Sequence, residues 1–307
     1  MNISICITVL NEESSIGKLL GSLINQSLKA NEIIIVDGGS TDKTIEIINH
    51  YQKKDRRIRL LKEKCFRARG RNLGIEIAKN EIIAMTDAGC VPKIDWLEKL
   101  IQPFKSHSGS GIDVVAGFYK MVGETKLQKA MSVFLGTKPS NFDNNFLPST
   151  RSMAFRKNVW EEIGGFPEEN GNSAEDTYFN YNAIKFGVKY ARVKSAIVEW
   201  GMPDSIFNFY FSIFNYAKWD GQTKVWFFPG KGFTSHNIKA VFVIFRYLIG
   251  LLLLIFSFES PYLFTLFLIC LFVYLIFAYK KAGLWGIPLQ FVTDFSVMNG
   301  FISGIIN

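Results

Sequence analysis

The chain has 307 residues, 48% of them hydrophobic, with 28 phenylalanines and a formal net charge of +8. That length allows one or two domains and a substantial core. The charge suits phosphate-bearing ligands and anionic lipid, and no basic run with interleaved aromatics supports nucleic-acid binding. Cys6, Cys65, Cys90 and Cys270 form no CxxC pair, and their spacing suits neither zinc nor a disulfide framework.

The opening stretch, MNISICITVLNEE, lacks a basic n-region, and its apolar run is too short for a signal peptide. The N-terminal part is therefore expected to stay in the cytosol. Apolar, β-branched runs at 3–9, 33–36, 58–61, 82–85 and 114–116 read as strands. Helical spacing lies between the first four: Ile16, Leu19, Leu20, Leu23; then Ile45, Ile47, Ile48; then Leu73, Ile75, Ile77. A fourth helix is expected over 96–104. This alternation predicts a mostly parallel sheet with helices on both faces, which binds ligands at the carboxyl ends of its strands. Asp37 and Asp87 fall at such ends.

The segment IIIVDGGSTDKT ends a strand on Asp37 and turns at once on Gly38 and Gly39, which tolerate positive φ. Ser40 or Thr41 then caps the next helix, with Asp42 in its first turn. The loop is not GxGxxG. The nearby Gly109–Ser110–Gly111 precedes a strand instead of following one, and a P-loop pattern is absent.

Residues 118–232 are less regular and read as completion of the same domain plus an acceptor-side region. Within them, SIFNFYFSIFNYAKW (205–219) reads equally as a membrane-surface helix or a buried core helix. The composition then shifts. Two stretches, 238–258 and 261–279, carry two basic residues and none, and each is long enough to cross a bilayer. The alternative is a buried helical hairpin of a soluble core. Lys224, Lys231 and Lys239 precede the first stretch, Glu259 sits in the tight loop, and Lys280 and Lys281 follow the second. Both flanks are therefore expected on the cytosolic side. Arg246, inside the first span, needs a helix partner, a lipid phosphate or a path to the interface. The tail 284–306 is broken by Pro288, Asp294, Gly300 and Gly304. An interfacial helix is preferred there over a third span or a re-entrant segment.

TVLNEE (8–13), VDGGSTDKT (36–44), RGRNLGIEIA (69–78), TDAGC (86–90), FRKNVWEEIGGFPE (155–168) and EDTYF (175–179) occur in one order along the chain. Together they resemble the family-two glycosyltransferases, inverting enzymes of the GT-A fold that use nucleotide-sugar donors. The resemblance covers about residues 1–230, and the trailing spans resemble membrane-anchored bacterial and archaeal members. It implies a cytosolic GT-A domain over 1–232 and a membrane domain over 233–307.

By this resemblance Thr8, Leu10, Glu12 and Asp37 hold the donor's base, usually uracil, and Arg71 stands near the base or diphosphate. Asp87 matches the first acid of a DxD motif, placed at the ribose and beside the metal. Gly89 stands where the second acid belongs. Three arrangements stay open: Mg²⁺ or Mn²⁺ held by Asp87 and phosphates, held through water, or absent with basic side chains in its role. Asp176 matches the general base. One carboxylate suffices for inversion, because the departing diphosphate needs no protonation. The family's Arg/Gln–Trp signature is not clear here; Glu199–Trp200 and Asp204 occupy that region. His236 reads as a surface residue in preference to a phosphate contact, and His50 and His107 as surface residues.

The expectation is a membrane-anchored, multi-pass enzyme with a cytosolic catalytic domain. It moves a sugar from a UDP-linked donor to a lipid or lipid-linked acceptor in cell-envelope glycan or glycolipid synthesis. The rivals are a non-catalytic nucleotide-sugar-binding subunit that anchors a partner, and a membrane scaffold that binds no nucleotide.

Overall fold

Alternate residues of the first strand, β1 (Ile3–Val9), enter two different cores, as the period of a strand requires. The computed structural model describes residues 1–105, 111–168, 174–228 and 235–306. His107, Gly109, Ser110 and Lys231, singled out above, lie outside the described residues. After β1 come α1 (Ile16–Ile24), β2 (Glu32–Asp37), α2 (Thr44–Lys54), β3 (Ile58–Lys62), α3 (Arg67–Glu76) and β4 (Ile82–Met85). Next are β5 (Cys90–Pro92), α4 (Trp96–Lys105) and β6 (Val114–Val122). Following α5 (Lys126–Leu135) are β7 (Met153–Arg156), α6 (Lys157–Glu162), α7 (Glu175–Lys185) and β8 (Tyr190–Gly201). Four long helices finish the chain: α8 (Ile206–Thr223), α9 (His236–Phe256), α10 (Pro261–Ala282) and α11 (Gly286–Ile306).

The eight strands form one sheet in the order β3-β2-β1-β4-β7-β6-β8-β5. The β3, β2, β1 and β4 neighbours are parallel, whereas β7 joins β4 and β6 antiparallel and β5 joins β8 antiparallel. Ile3, Ile5, Ile7 and Val9 of β1 pack with Ile16, Leu19, Leu20 and Leu23 of α1 and with Trp96, Leu97 and Leu100 of α4. Cys6 joins Ile34, Val36, Ile83 and Met85 against Ala68 and Ile75 of α3 and Phe179 of α7. The register sets Val9 beside Asp37, and Asp37 beside Lys62, so these carboxyl ends share one rim.

The chain groups into two compact units that differ from the expected division at residue 232. One comprises Met1–Met121 and Thr137–Gly201, the other Val122–Gly136 and Met202–Asn307. The reason lies in α5 and α8. Ala130 and Met131 of α5 share a core with Phe209 and Ile213 of α8 and Leu289 of α11. The α8 helix is two-faced: Phe209, Ile213 and Ala217 are buried, while Phe207 and Phe211 are exposed.

The tail is a single helix, α11, despite the residues expected to break it. Pro288 falls in the first turn, where backbone N–H groups have no intrahelical acceptor to lose. Gly300 and Gly304 allow close approach to α8. A Cβ on them would lie 2.2 Å from the Phe214 carbonyl oxygen and 2.1 Å from that of Lys218.

His236–Phe256 and the apolar stretch that begins at Pro261 are candidate membrane spans by length and composition, each with a mean hydropathy of 2.4. Within this chain only 6% of each apolar stretch is buried.

Candidate active site

Two loops meet at the ends of β1 and β2. Asp37 is buried, and its Oδ2 accepts the backbone N–H groups of Gly39 and Ser40, both at 3.1 Å. Gly39 has φ +105°, a conformation that L side chains resist. Asp37 Oδ1 is buried with no hydrogen-bond partner among the described residues. The facing loop is stitched on by polar contacts. Ser40 Oγ accepts Asn11 N–H at 2.9 Å, Asn11 Oδ1 accepts Thr41 N–H at 2.8 Å, and Thr44 Oγ1 accepts Glu12 N–H at 2.7 Å.

This corrects the capping expectation. Asp42, whose Oδ1 accepts Thr44 N–H at 3.0 Å, secures the start of α2, while Ser40 and Thr41 bind Asn11. Thr8 is half-buried on β1, Leu10 is exposed at the rim, and Glu12 is half-buried. Burial lifts the Glu12 carboxyl above its ordinary range, against the hydroxyl of Ser15 that it accepts from; the Asp87 charge lifts it further.

Asp87 follows β4, with its side chain 31% exposed. Its Oδ1 takes Arg71 Nη2 at 2.9 Å, and Thr150 Oγ1 stands 3.5 Å from Oδ2. Burial opposes its charge, but the guanidiniums of Arg71, Arg151 and Arg67 outweigh that and hold the carboxyl below its ordinary range. Arg71, which the resemblance sets near the base or diphosphate, has a side chain only 2% exposed and bridges Asp87 to Glu175. Arg67, four residues earlier on α3, is 3.7 Å from Glu175. Arg69 points outward and pairs with Glu76 and Glu168.

The GGF motif serves this cluster through Asn72. Asn72 Nδ2 donates to the Phe166 carbonyl at 2.8 Å, and its Oδ1 accepts Phe166 N–H at 2.9 Å. Gly164 and Gly165, at φ +83° and +72°, turn the chain so that Phe166 stacks on Phe179 of α7. This packs α7 against the sheet with its two acids at the first turn.

The two acids then differ. Glu175 is buried and paired with Arg71, whereas Asp176 is only half-buried. Burial first, and the neighbouring Glu175 charge second, push the Asp176 carboxyl above its ordinary range against Arg71 and Arg151.

Sequence reasoning missed Arg67, Arg151 and Thr150, and gave Trp200 no role. The Arg151 guanidinium lies 3.8 Å over the Trp200 ring and 5.1 Å from the Tyr119 ring, and its Nη1 donates to Ser149 Oγ at 3.0 Å. Cys90 pairs with Trp200 across β5 and β8. A Cβ on Gly89 would sit 3.4 Å from Trp200 Nε1, so an indole edge faces the place of the second motif acid. The one available signal was Trp200 itself, an aromatic on the third strand after β5 that only the β5–β8 pairing brings to Gly89. Glu199 is paired with Lys93 at 2.5 Å, and Asp204 with Asn208 at 2.6 Å. His236 and His50 are exposed.

No group of three or more His, Cys, Asp or Glu side chains is placed to hold a metal among the described residues. Asp87 is nonetheless kept ionised, and Thr150 Oγ1 reaches its Oδ2 only at a long 3.5 Å. One such carboxylate fits Mg²⁺ or Mn²⁺ shared with a substrate's phosphates, since Mg²⁺ keeps several waters and needs one or two carboxylates.

Residues 4–164 match the model of the family described as "Glycosyl transferase family 2". Glycosyltransferase AglE of Haloferax volcanii is 28% identical over 172 residues, which take in 54% of this chain and 56% of that one. An uncharacterized glycosyltransferase of Haemophilus influenzae is 39% identical over 99 residues, 32% of this chain and 40% of the relative. The chain thus spans about half the length of the curated relatives it matches. Among solved structures, mannosyltransferase PcManGT of Pyrobaculum calidifontis, in complex with GDP-Man and Mn²⁺, aligns with TM-score 0.69 at 16% identity, over 99% of this chain and 86% of that one. TarS 1-349 of S. aureus, in complex with UDP-GlcNAc, aligns with TM-score 0.54 at 19% identity, over 80% and 71%. These likenesses show the fold.

Proposed function

Because the chain belongs to glycosyl transferase family 2, we propose that it transfers a sugar, with inversion, from a nucleotide-diphosphate donor to a hydroxyl of a lipid or lipid-linked acceptor. Asp176 is the general base of this reading. The observation that carries it is the inequality of the acid pair: Arg71 occupies Glu175, and Asp176 keeps a raised pKa at a half-open position. A base works best when its pKa approaches the operating pH. The Asp176 carboxylate takes the acceptor hydroxyl's proton as that oxygen attacks the anomeric carbon, opposite the leaving diphosphate.

Asp37 is the base-reading residue. Its Oδ2 already serves two backbone N–H groups, which leaves Oδ1 as one open acceptor. A single acceptor suits the one imide N–H of uracil better than the adjacent pair of donors on guanine, so the donor is UDP-linked in this reading. Thr8, Leu10 and Glu12 form the opposite wall. Arg71 acts from behind, by fixing Asp87 at the ribose. Where Mg²⁺ or Mn²⁺ is present, Asp87 would hold it, and it would supply positive charge to the departing diphosphate.

We also take α9 and α10 to cross a membrane with both flanks cytosolic, which places the enzyme among lipid acceptors and suits envelope glycan or glycolipid synthesis. Reporter fusions at residue 259 and at the C-terminus test this; a cytosolic signal at 259 rejects it. For the reaction, membranes holding the full chain are incubated with a panel of radiolabelled nucleotide sugars and the lipid is extracted. Label in the lipid fraction from a UDP-sugar is expected. Label found only in free sugar would reject the acceptor class.

A further inference from the structure

Arg246 stands midway along α9, on a face where Phe242, Phe245 and Ile249 are exposed. Nothing in the glycosyl-transfer reading uses it. Its Nη2 meets Asp294 Oδ2 of α11 at 2.5 Å, and Asp294 is buried. That carboxylate is fully engaged. Oδ2 also accepts the hydroxyls of Tyr247 at 3.1 Å and Tyr274 at 2.6 Å, while Oδ1 accepts Gln290 Nε2 at 2.9 Å. Gln290 Oε1 in turn takes Lys281 Nζ at 2.7 Å.

The arginine is not engaged to the same degree. A guanidinium offers five N–H donors in a planar fork. Among the described residues its ion-pair partner is Asp294, and the rings of Tyr247 and Tyr274 lie 5.6 and 5.1 Å away. The side chain is 40% exposed. The linked cluster of Arg246, Lys281 and Asp294 carries two positive charges against one negative. Asp294 meets one of the guanidinium donors, and in apolar surroundings the donors left over are costly unless a further oxygen or water reaches them. A partly exposed fork held by a carboxylate, with donors beyond its pair with Asp294, suits a phosphate, which a guanidinium meets with two parallel hydrogen bonds.

We propose that Arg246 binds the phosphate of a membrane lipid, with Asp294, Tyr247 and Tyr274 setting the orientation of the guanidinium. This rests on reading α9 and α10 as membrane helices. A phospholipid and an isoprenoid phosphate, the second being the lipid-linked class of acceptor, offer the same group, and the experiment separates them.

The full chain is purified in a maltoside detergent, which carries no phosphate, and mixed with equal amounts of dioleoylglycerol, phosphatidic acid or an isoprenoid monophosphate. Retained lipid is counted by native mass spectrometry. Both phosphates should be retained and dioleoylglycerol should not. Retention of the isoprenoid monophosphate above phosphatidic acid would assign the site to the acceptor, and the reverse order to bulk lipid. Arg246→Ala should reduce phosphate-lipid retention about tenfold, the size expected for loss of a charged hydrogen bond, with UDP affinity unchanged. Equal retention by Arg246→Ala, equal retention of dioleoylglycerol, or parallel loss of UDP binding overturns the site.

Should Arg246→Ala not fold, Arg246→Lys keeps the charge and removes the fork. Its melting temperature should rise less on adding phosphatidic acid than that of the parent chain, and an equal rise overturns the proposal. Retention that depends on Arg246 without sugar transfer to any lipid would reject the lipid-acceptor reading and leave this site standing.

Discussion

Both units set an arginine against a buried carboxylate, and they use the pair in opposite ways. In the first unit Arg71 is 2% exposed and lies between Asp87 and Glu175. In the second, Arg246 is 40% exposed and shares Asp294 with two tyrosines and a glutamine. The first cation is occupied from both sides. The second has its anion occupied instead and stays partly exposed. The difference teaches that an ion pair's role is read from which partner has capacity left, more than from its length.

The sharpest way to break this comparison is Asp176→Asn, which keeps size but cannot take a proton. Transfer should fall by about 10²–10⁴-fold, with donor affinity nearly unchanged. Near-normal transfer in a folded variant would move the base to Glu175, or to Asp204. Arg71→Met tests the clamp. Removing one partner of a buried pair costs about 3–5 kcal/mol, so the melting temperature should drop strongly. A variant that melts like the parent but loses only donor affinity would return Arg71 to the donor-contacting role. Glu175→Gln should likewise act through stability, and more mildly on rate than Asp176→Asn.

Asp37→Ala should weaken UDP binding about tenfold or more, on the scale of a hydrogen bond to a charged group. Unchanged UDP affinity removes Asp37 from the pocket, and a larger loss for GDP than for UDP contradicts the single-acceptor argument. Chelation comes next: EDTA should lower the transfer rate, with Mg²⁺ or Mn²⁺ restoring it. Full activity in EDTA would assign charge neutralisation to the basic side chains.

The pH profile carries the smallest effect. Burial and Glu175 raise the Asp176 pKa, and the base must be ionised to act. Activity should therefore be full above that raised value and fall as pH drops through it, with an acid limb above the ordinary aspartate pKa of about 3.9. Asp87, shifted the other way, should stay charged throughout that range. An acid limb at or below the ordinary value speaks against Asp176 as the base.

Much of the first unit was legible because its helices and strands bury residues at their own periods. Ile16, Leu19, Leu20 and Leu23 mark α1, and no end of the four parallel strands differs from the expected runs by more than one residue. The carboxyl-end rule placed Asp37 and Asp87 before any fold was known. Three things were not legible. Arg71 reads as a surface arginine until α7 returns to bury it, a contact between residues 71 and 175 that no local pattern reports. Arg151 and Trp200 meet only through the antiparallel half of the sheet. The continuity of α11 was obscured by counting glycines as breaks, when Gly300 and Gly304 are contact points for α8.

The interruption of the first unit by residues 122–136 bears on how the chain is made. On a ribosome, α5 emerges well before the helices that cover it. Ala130 and Met131 find their packing partners only when Phe209, Ile213 and finally Leu289 have been synthesised. For Leu289 that is roughly 150 residues later, or ~8–30 s at ~5–20 residues per second. The first unit also closes around this gap, since β7 and β8 follow α5 in the chain. During that interval the apolar face of α5 has no cover. A nascent chain stalled near residue 200 should therefore be a better chaperone client than one stalled near residue 100, because only the longer one displays the α5 face without its cover.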